Sequence, residues 1–273
     1  MPVNPPDFEY VRDLLRDTAA IQLEPGKEYL VETRLEPLAR SEGFSTLGSL
    51  VTALRHGGIK GLHNKVVDRM TTNETSFFRD LHPFDALKRS MLPELIARRA
   101  TERTLNIWCG ACSSGQEPYS IMMLLRDSFP ALADWNITLL ATDLSAAMIE
   151  RARAGVYSQL EVNRGLPASM LVKYFEKRGD EWRIIDRIRR GIEFREMNLA
   201  RPWTGLPRLD IIFLRNVMIY FAPEAKRGIL GQIRQFLRPD GYLVLGGAET
   251  TYGLDEGYER VVSDKASAYR VKA

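Results

Sequence analysis

Apolar residues recur at helical spacing through the first quarter of the chain. Residues 7–18 set Phe8, Val11, Leu14 and Leu15 on one face, with Asp7 as the capping candidate. Residues 28–41 repeat the pattern with Tyr29, Leu30, Leu35 and Leu38, and residues 46–55 and 61–70 follow. Gly43, Gly57, Gly58 and Gly61 punctuate these segments. No strand signal interrupts them, so residues 1–70 read as a small all-α domain. Residues 71–100 read as a linker and one further helix, over 83–100, with Arg and Lys at its end.

Beyond residue 101 the periodicity changes. Short apolar runs at 104–110, 136–145, 209–216 and 242–247 read as buried strands. Amphipathic segments at 117–129, 145–155 and 223–241 lie between them, the last stopped by Pro239-Asp240-Gly241. Strands alternating with helices of this length predict an α/β domain over 101–273 with a doubly wound, parallel sheet. Right-handed crossovers then bring every strand's carboxyl end to one edge. Residues 181–198 break the alternation. Their β-branched and aromatic residues predict an antiparallel excursion, 182–189 pairing with 191–196 about Gly191, as a small β-subdomain at about 178–198.

Composition adds limits. A chain of 273 residues with 45% hydrophobic and 27% charged content suits one large domain plus a small one. The net charge of +3 does not announce nucleic acid. Between residues 46 and 70, Arg55, Lys60, Lys65 and Arg69 outnumber the one acid, Asp68, and make a candidate basic face for an acidic partner. The alternative is a solvated helix face. Cys109 and Cys112 have no second pair and no nearby His, so no metal site is expected. Two free thiols, no leader signal and no apolar run near ~18 residues point to a cytoplasmic protein without membrane insertion.

Candidate chemistry sits after the strands. "GACSSGQEP" (110–118) follows the first, with Gly110 and Gly115 expected to let the backbone approach a ligand. It is neither G-x-G-x-x-G nor a P-loop, so phosphate binding is poorly supported. Asp143 ends the second strand, where an acid can accept both hydroxyls of a ribose. The alternative is Asp143 or Ser145 as a helix cap, and the two readings are compatible. A glycine turn plus an acid, without phosphate features, suits S-adenosylmethionine. Arg215, Asn216 and Tyr220 in "FLRNVMIYF" (213–221) are polar groups leaving a buried strand and need partners there.

Together "TTNETSFFRD" (71–80), "GACSSGQEPYSIMMLL" (110–125), "ATDLSAAMIERARAGVY" (141–157) and "FLRNVMIYF" resemble the chemotaxis receptor methyltransferase family, CheR. The four blocks span nearly the whole chain in order. The resemblance implies an all-α N-terminal domain, a linker, and a Rossmann-like S-adenosylmethionine domain carrying a β-subdomain. It implies methyl transfer from S-adenosylmethionine to glutamate side chains of chemoreceptors, leaving S-adenosylhomocysteine. It further implies that Asn73, Thr75 and Arg79 contact cofactor or substrate, and that Glu117 and Asp143 hold the methionine-ribose part. Asn198 and Leu199 would hold the adenine, Arg215 and Asn216 would line the same site, and Tyr220 would face the methyl group. Arg79 and Tyr220 are the catalytic candidates, while Phe77 and Phe78 suit packing.

A glutamate side chain is already ionised at neutral pH, so no general base is needed. Other expectations stay open. The basic face could dock on chemoreceptor helices, and a regulatory protein partner is possible. The short loop at Gly179-Asp180 favours receptor recognition without a tether peptide. Rival functions are methyl transfer to RNA or a small molecule, and non-catalytic S-adenosylmethionine sensing.

Overall fold

The computed structural model describes residues 3–57, 59–261 and 266–272; Gly58, read as a turn glycine, lies outside them. The chain divides into two compact units, residues 1–72 with 220–225 and residues 73–219 with 226–273.

The first unit is helical: α1 (Pro5–Ala19), α2 (Glu28–Ser41), α3 (Leu47–His56) and α4 (Leu62–Met70). Asn4, not Asp7, caps α1. Its side-chain oxygen accepts the Asp7 N–H at 2.8 Å, and Pro5 and Pro6 open the helix where a missing N–H costs nothing. Thr46 caps α3 in a reciprocal box with Ser49. The buried faces carry Phe8, Val11 and Leu15 of α1, Val31 and Leu35 of α2, Leu50 and Leu54 of α3, and Val66 of α4. Each such side chain contributes roughly 1.5–3 kcal/mol on burial, which holds short helices together without a sheet. Residues 220–225 join this unit through an antiparallel bridge between Ile21 and Phe221.

Residues 73–100 are not a free linker. Phe77, Phe78, Phe84, Leu87, Met91, Leu92 and Leu95 are buried in the core of the second unit. The single helix expected over 83–100 is α5 (His82–Ala86), a π turn (Leu87–Met91) and α6 (Leu92–Arg98). Pro93 offers no N–H to the carbonyl four residues back, and the ladder widens just before it.

The remaining elements are β1 (Thr104–Gly110), α7 (Gln116–Ser128), β2 (Asn136–Asp143), α8 (Ala146–Ala154), β3 (Val156–Ser158), α9 (Gln159–Asn163), α10 (Ala168–Tyr174), β4 (Phe175–Arg178), β5 (Glu181–Ile184), α11 (Asp186–Arg189), β6 (Ile192–Glu196), β7 (Leu209–Leu214), α12 (Pro223–Phe236), β8 (Leu237–Leu245), β9 (Tyr258–Val261) and β10 (Ser267–Val271). The large sheet has the order β6-β2-β1-β7-β8-β10-β9. The β6-β2-β1-β7-β8 run is parallel, and β10 pairs antiparallel with both β8 and β9. The doubly wound α/β expectation therefore holds. The order reverses between β1 and β7, and their carboxyl ends form the crevice where such sheets bind ligands.

The β-subdomain differs from its expected form. It is the three-stranded antiparallel sheet β3-β5-β4, closed by the Gly179-Asp180 hairpin turn. Residues 182–189 do not pair with 191–196; 186–189 are helical and β6 is the edge strand of the large sheet, parallel to β2. Ile192 and Phe194 alternate into the core, so burial rather than a local hairpin decides their partner. Gly191 serves close packing, since a Cβ there would lie 2.9 Å from Met122 Cε on α7.

Candidate active site

Backbone strain marks the switch-point edge. Ala111 and Ser113 after β1 and Asn216 after β7 have left-handed φ of 54°, 49° and 58°, and Phe78, Asp80 and Leu81 share that conformation. Non-glycine residues rarely adopt it without surrounding contacts that hold them there. Here hydrogen bonds tie the loops after β1, β2, β6 and β7 to one another or to the 73–81 segment.

The loop after β1 is held by Asp143 at the end of β2. Its Oδ2 accepts the Ser113 N–H at 2.7 Å and its Oδ1 accepts the Ser145 N–H at 2.9 Å. Burial pushes the Asp143 carboxyl up, and the backbone donors pull against that shift. The helix cap of α8 is Ser145 rather than Asp143. The Asp143 carbonyl accepts from Met197, which brings Asn198 and Leu199 beside it. Asn198 Oδ1 accepts the Ala200 N–H, and the Leu199 carbonyl accepts from Trp203 Nε1. Asn73 joins the same cluster, because its carbonyl accepts the Ser113 hydroxyl at 2.9 Å. Thr75 follows two residues later, half-buried.

Gly110 and Gly115 meet a packing need at this edge. A Cβ on Gly110 would lie 2.8 Å from Leu214 Cδ1, and one on Gly115 would lie 2.9 Å from the Ala152 Cβ.

Glu117 and Arg215 form the second cluster. Arg215 Nη1 donates to Glu117 Oε2 at 2.5 Å, and Cys109 Sγ donates to Glu117 Oε1 at 3.0 Å. Arg215 Nη2 donates to the Arg79 carbonyl at 3.0 Å and to Asp80 Oδ2 at 2.8 Å. The Arg215 side chain, 1% exposed, thus ties the 73–81 segment to α7. Burial raises the thiol pKa of both cysteines, which are free. Arg79 is half-buried, with Nη1 donating to the Glu74 carbonyl at 2.8 Å and no ion pair among the described residues. Phe77 packs edge-on against Tyr157 and Phe175, and Phe78 against Phe84. These aromatics anchor the polar block by burial.

Asn216 is braced by Glu249, which the sequence reading missed. The signal was there: an acid closely following an apolar strand is the feature that singled out Asp143. Tyr220 ends the 3₁₀ turn Met218–Tyr220 and groups with the helical unit, where its carbonyl accepts from Gln22.

The donor set fits S-adenosylmethionine. Asp143 and Glu117 bring two carboxylates to the crevice, which suits a cationic nucleoside. Arg215 Nε is buried without a partner, a donor that a ligand carboxylate can take up. No cluster of metal-ligating side chains occurs among the described residues.

The basic face is half cancelled. Arg55 pairs with Asp7 at 3.2 Å and Lys65 with Glu42 at 2.7 Å, acids that lie far away in sequence. Lys60 and Arg69 remain exposed and unpaired among the described residues. No described helix is long and apolar enough to cross a membrane.

Two family models match: CheR methyltransferase, all-alpha domain, over residues 6–71, and CheR methyltransferase, SAM binding domain, over residues 73–266. Chemotaxis protein methyltransferase 1 of Pseudomonas aeruginosa is 42% identical, over 97% of this chain and 98% of that one. Chemotaxis protein methyltransferase Cher2 of Pseudomonas putida and a chemotaxis protein methyltransferase of Vibrio parahaemolyticus are each 40% identical, with the same coverage. With a match in order across both units, the chain belongs to the CheR methyltransferase family, and residues 73–266 are its S-adenosylmethionine-binding domain.

Proposed function

We propose that the chain transfers the methyl group of S-adenosylmethionine to glutamate side chains of chemoreceptors, forming glutamyl methyl esters. The observation that carries this is the convergence of Asp143, Glu117, Asn198, Arg215 and Asn216 on the ends of β1, β2, β6 and β7, in a chain about 40% identical to chemotaxis methyltransferases.

When bound, S-adenosylmethionine supplies a methyl carbon activated by a sulfonium. The chain's residues hold and orient. Asp143 is assigned to the ribose, its oxygens aimed by two backbone N–H groups yet retaining lone pairs. Asn198 and Leu199 are assigned to the adenine. Glu117 is assigned to the cationic end, with its orientation set by Arg215 and Cys109. Asn73, Thr75 and Asn216 complete the contacts.

Arg79 is assigned to the incoming glutamate. Its guanidinium lies in the field of Glu74 but makes no close ion pair among the described residues, so its fork is available to a carboxylate. Arg215 is paired on both sides and serves as a brace. For Tyr220 the support is the resemblance of the "FLRNVMIYF" block, which assigns its hydroxyl to orienting the acceptor. The acceptor is ionised at neutral pH, so the work of the site is alignment. Lys60 and Arg69 are assigned to the acidic receptor surface, and cytoplasmic location follows from that partner. The two-residue Gly179-Asp180 turn favours recognition without a tether peptide; a pull-down with a receptor tail peptide that retained the protein would overturn that point.

The test is incorporation of labelled methyl into receptor-containing membranes. The expected label is released by alkali, because a carboxyl ester hydrolyses there and an N-methyl group does not. Alkali-stable label, or label in RNA alone, would refute the proposal.

A further inference from the structure

We infer that Glu249, in the loop after β8, is a positioning residue for cofactor binding, acting through the turn that carries Asn216. The inference rests on the assignment of Asn216 to the cofactor site.

Glu249 is 6% exposed, yet among the described residues the hydrogen-bond partners of its carboxylate are all backbone amides. Oε1 accepts the N–H of Val217 at 2.9 Å and of Met218 at 2.7 Å. Oε2 accepts the N–H of Asn216 at 2.8 Å and of Gly246 at 2.7 Å. Four convergent amides make an anion nest, here filled by a side chain of the same protein. Bonds to an ionised acceptor are roughly twice as strong as neutral ones, and three of these four lie in the turn leaving β7.

That turn needs holding. Asn216 sits at φ 58°, a conformation that costs energy for a residue with a Cβ. The Glu249 carboxylate gathers the three successive N–H groups that this bend aligns. Gly246 makes the approach possible, since a Cβ there would lie 2.7 Å from Glu249 Oε2, 2.9 Å from Asn216 N and 3.0 Å from Asn216 Nδ2. The side-chain amide of Asn216 is therefore pressed against the Gly246 backbone, and its direction follows from the turn. Glu249 thus connects the loops after β7 and β8 and sets where Asn216 points.

The distinguishing test is a double-mutant cycle on S-adenosylhomocysteine affinity, measured by calorimetry on the full chain, with thermal melting as a folding control. Glu249→Gln keeps the length but turns an NH₂ group towards two of the donors. Asn216→Ala and Glu249→Gln are each expected to weaken binding about tenfold. The pair together should be no weaker than Asn216→Ala alone, because both remove the same contact. Losses that multiply, or wild-type affinity in a folded Glu249→Gln protein, would overturn the inference while leaving the site assignment standing. Unchanged affinity in Asn216→Ala would overturn both. Should Glu249→Gln fail to fold, Glu249→Asp, one methylene short of the nest, enters the same cycle.

Discussion

The Arg215 guanidinium and the Glu117 carboxylate meet at 2.5 Å inside the second unit, with the arginine side chain 1% and the glutamate 11% exposed. The pair joins the end of β7 to the start of α7, across the switch point. Arg215 also holds Asp80 and the Arg79 carbonyl, so one cation orders two loops and the base of the segment carrying Arg79.

Removing that cation should act first on stability. Arg215→Ala leaves Glu117 as a buried, uncompensated carboxylate, a change that costs roughly 3–5 kcal/mol. The expected result is a lowered unfolding midpoint in urea together with loss of S-adenosylhomocysteine binding. Arg215→Ala combined with Glu117→Gln should recover part of the stability, which denaturant titration of the two variants and the unmodified protein checks.

Asp143 should confer an acid limit on cofactor binding. Its carboxyl is pushed up by burial, so it takes up a proton at higher pH than an exposed aspartate, whose ordinary value is about 3.9. Ribose binding needs the ionised acceptor. Affinity for S-adenosylhomocysteine should therefore be full above the raised value and fall as pH drops through it. Asp143→Asn should bind weakly with little pH dependence over the same window, read by calorimetry across a pH series.

Arg79 and Tyr220 should separate from the cofactor contacts in kinetics. Arg79→Ala is expected to lower kcat about a hundredfold through lost alignment, with S-adenosylhomocysteine affinity changed little. Tyr220→Phe should lose about tenfold in kcat, the scale of one hydrogen bond of roughly 1.4 kcal/mol in the transition state. Steady-state rates and ligand titrations on the same preparations decide this, and full turnover in either variant would remove it from its assigned role.

The charges of the helical unit should divide by partner. Lys60→Glu with Arg69→Glu should weaken receptor methylation, more so at low ionic strength, where attraction between exposed charges is long-ranged. Arg55→Glu should instead destabilise the helices, since Arg55 donates to Asp7 and to the Pro6 carbonyl. An exposed pair of this kind contributes up to about 1 kcal/mol. Methylation at two salt concentrations, with melting curves, separates the two effects.

Much of this architecture was legible where the signal is local. The run 104–110 is β1 as expected, a short, mostly apolar segment of which six of seven residues are buried. Helix α2 matches its expected span of 28–41, but of its expected apolar face only Leu35 and Leu38 are buried; Val31 is buried where Tyr29 is exposed. What the sequence hid was non-local. Residues 192–196 look like half of a hairpin, yet their partner is β2, some fifty residues earlier. The charge count around Arg55 and Lys65 missed Asp7 and Glu42, which the helix packing supplies. Arg215, a polar group leaving a buried strand, was expected to need partners, and its acidic partners Glu117 and Asp80 come from distant segments. Glycines followed the same rule: Gly110 and Gly115 avoid Leu214 and Ala152, contacts that only folding creates.

The most direct measurement is a crystal structure of the full chain with S-adenosylhomocysteine. The nucleoside should lie beyond the carboxyl ends of β1 and β7, with its ribose at Asp143 and its amino-acid end towards Glu117. A ligand bound anywhere else, with Asp143, Glu117 and Asn216 untouched, would contradict the site on which the proposed methyl transfer depends.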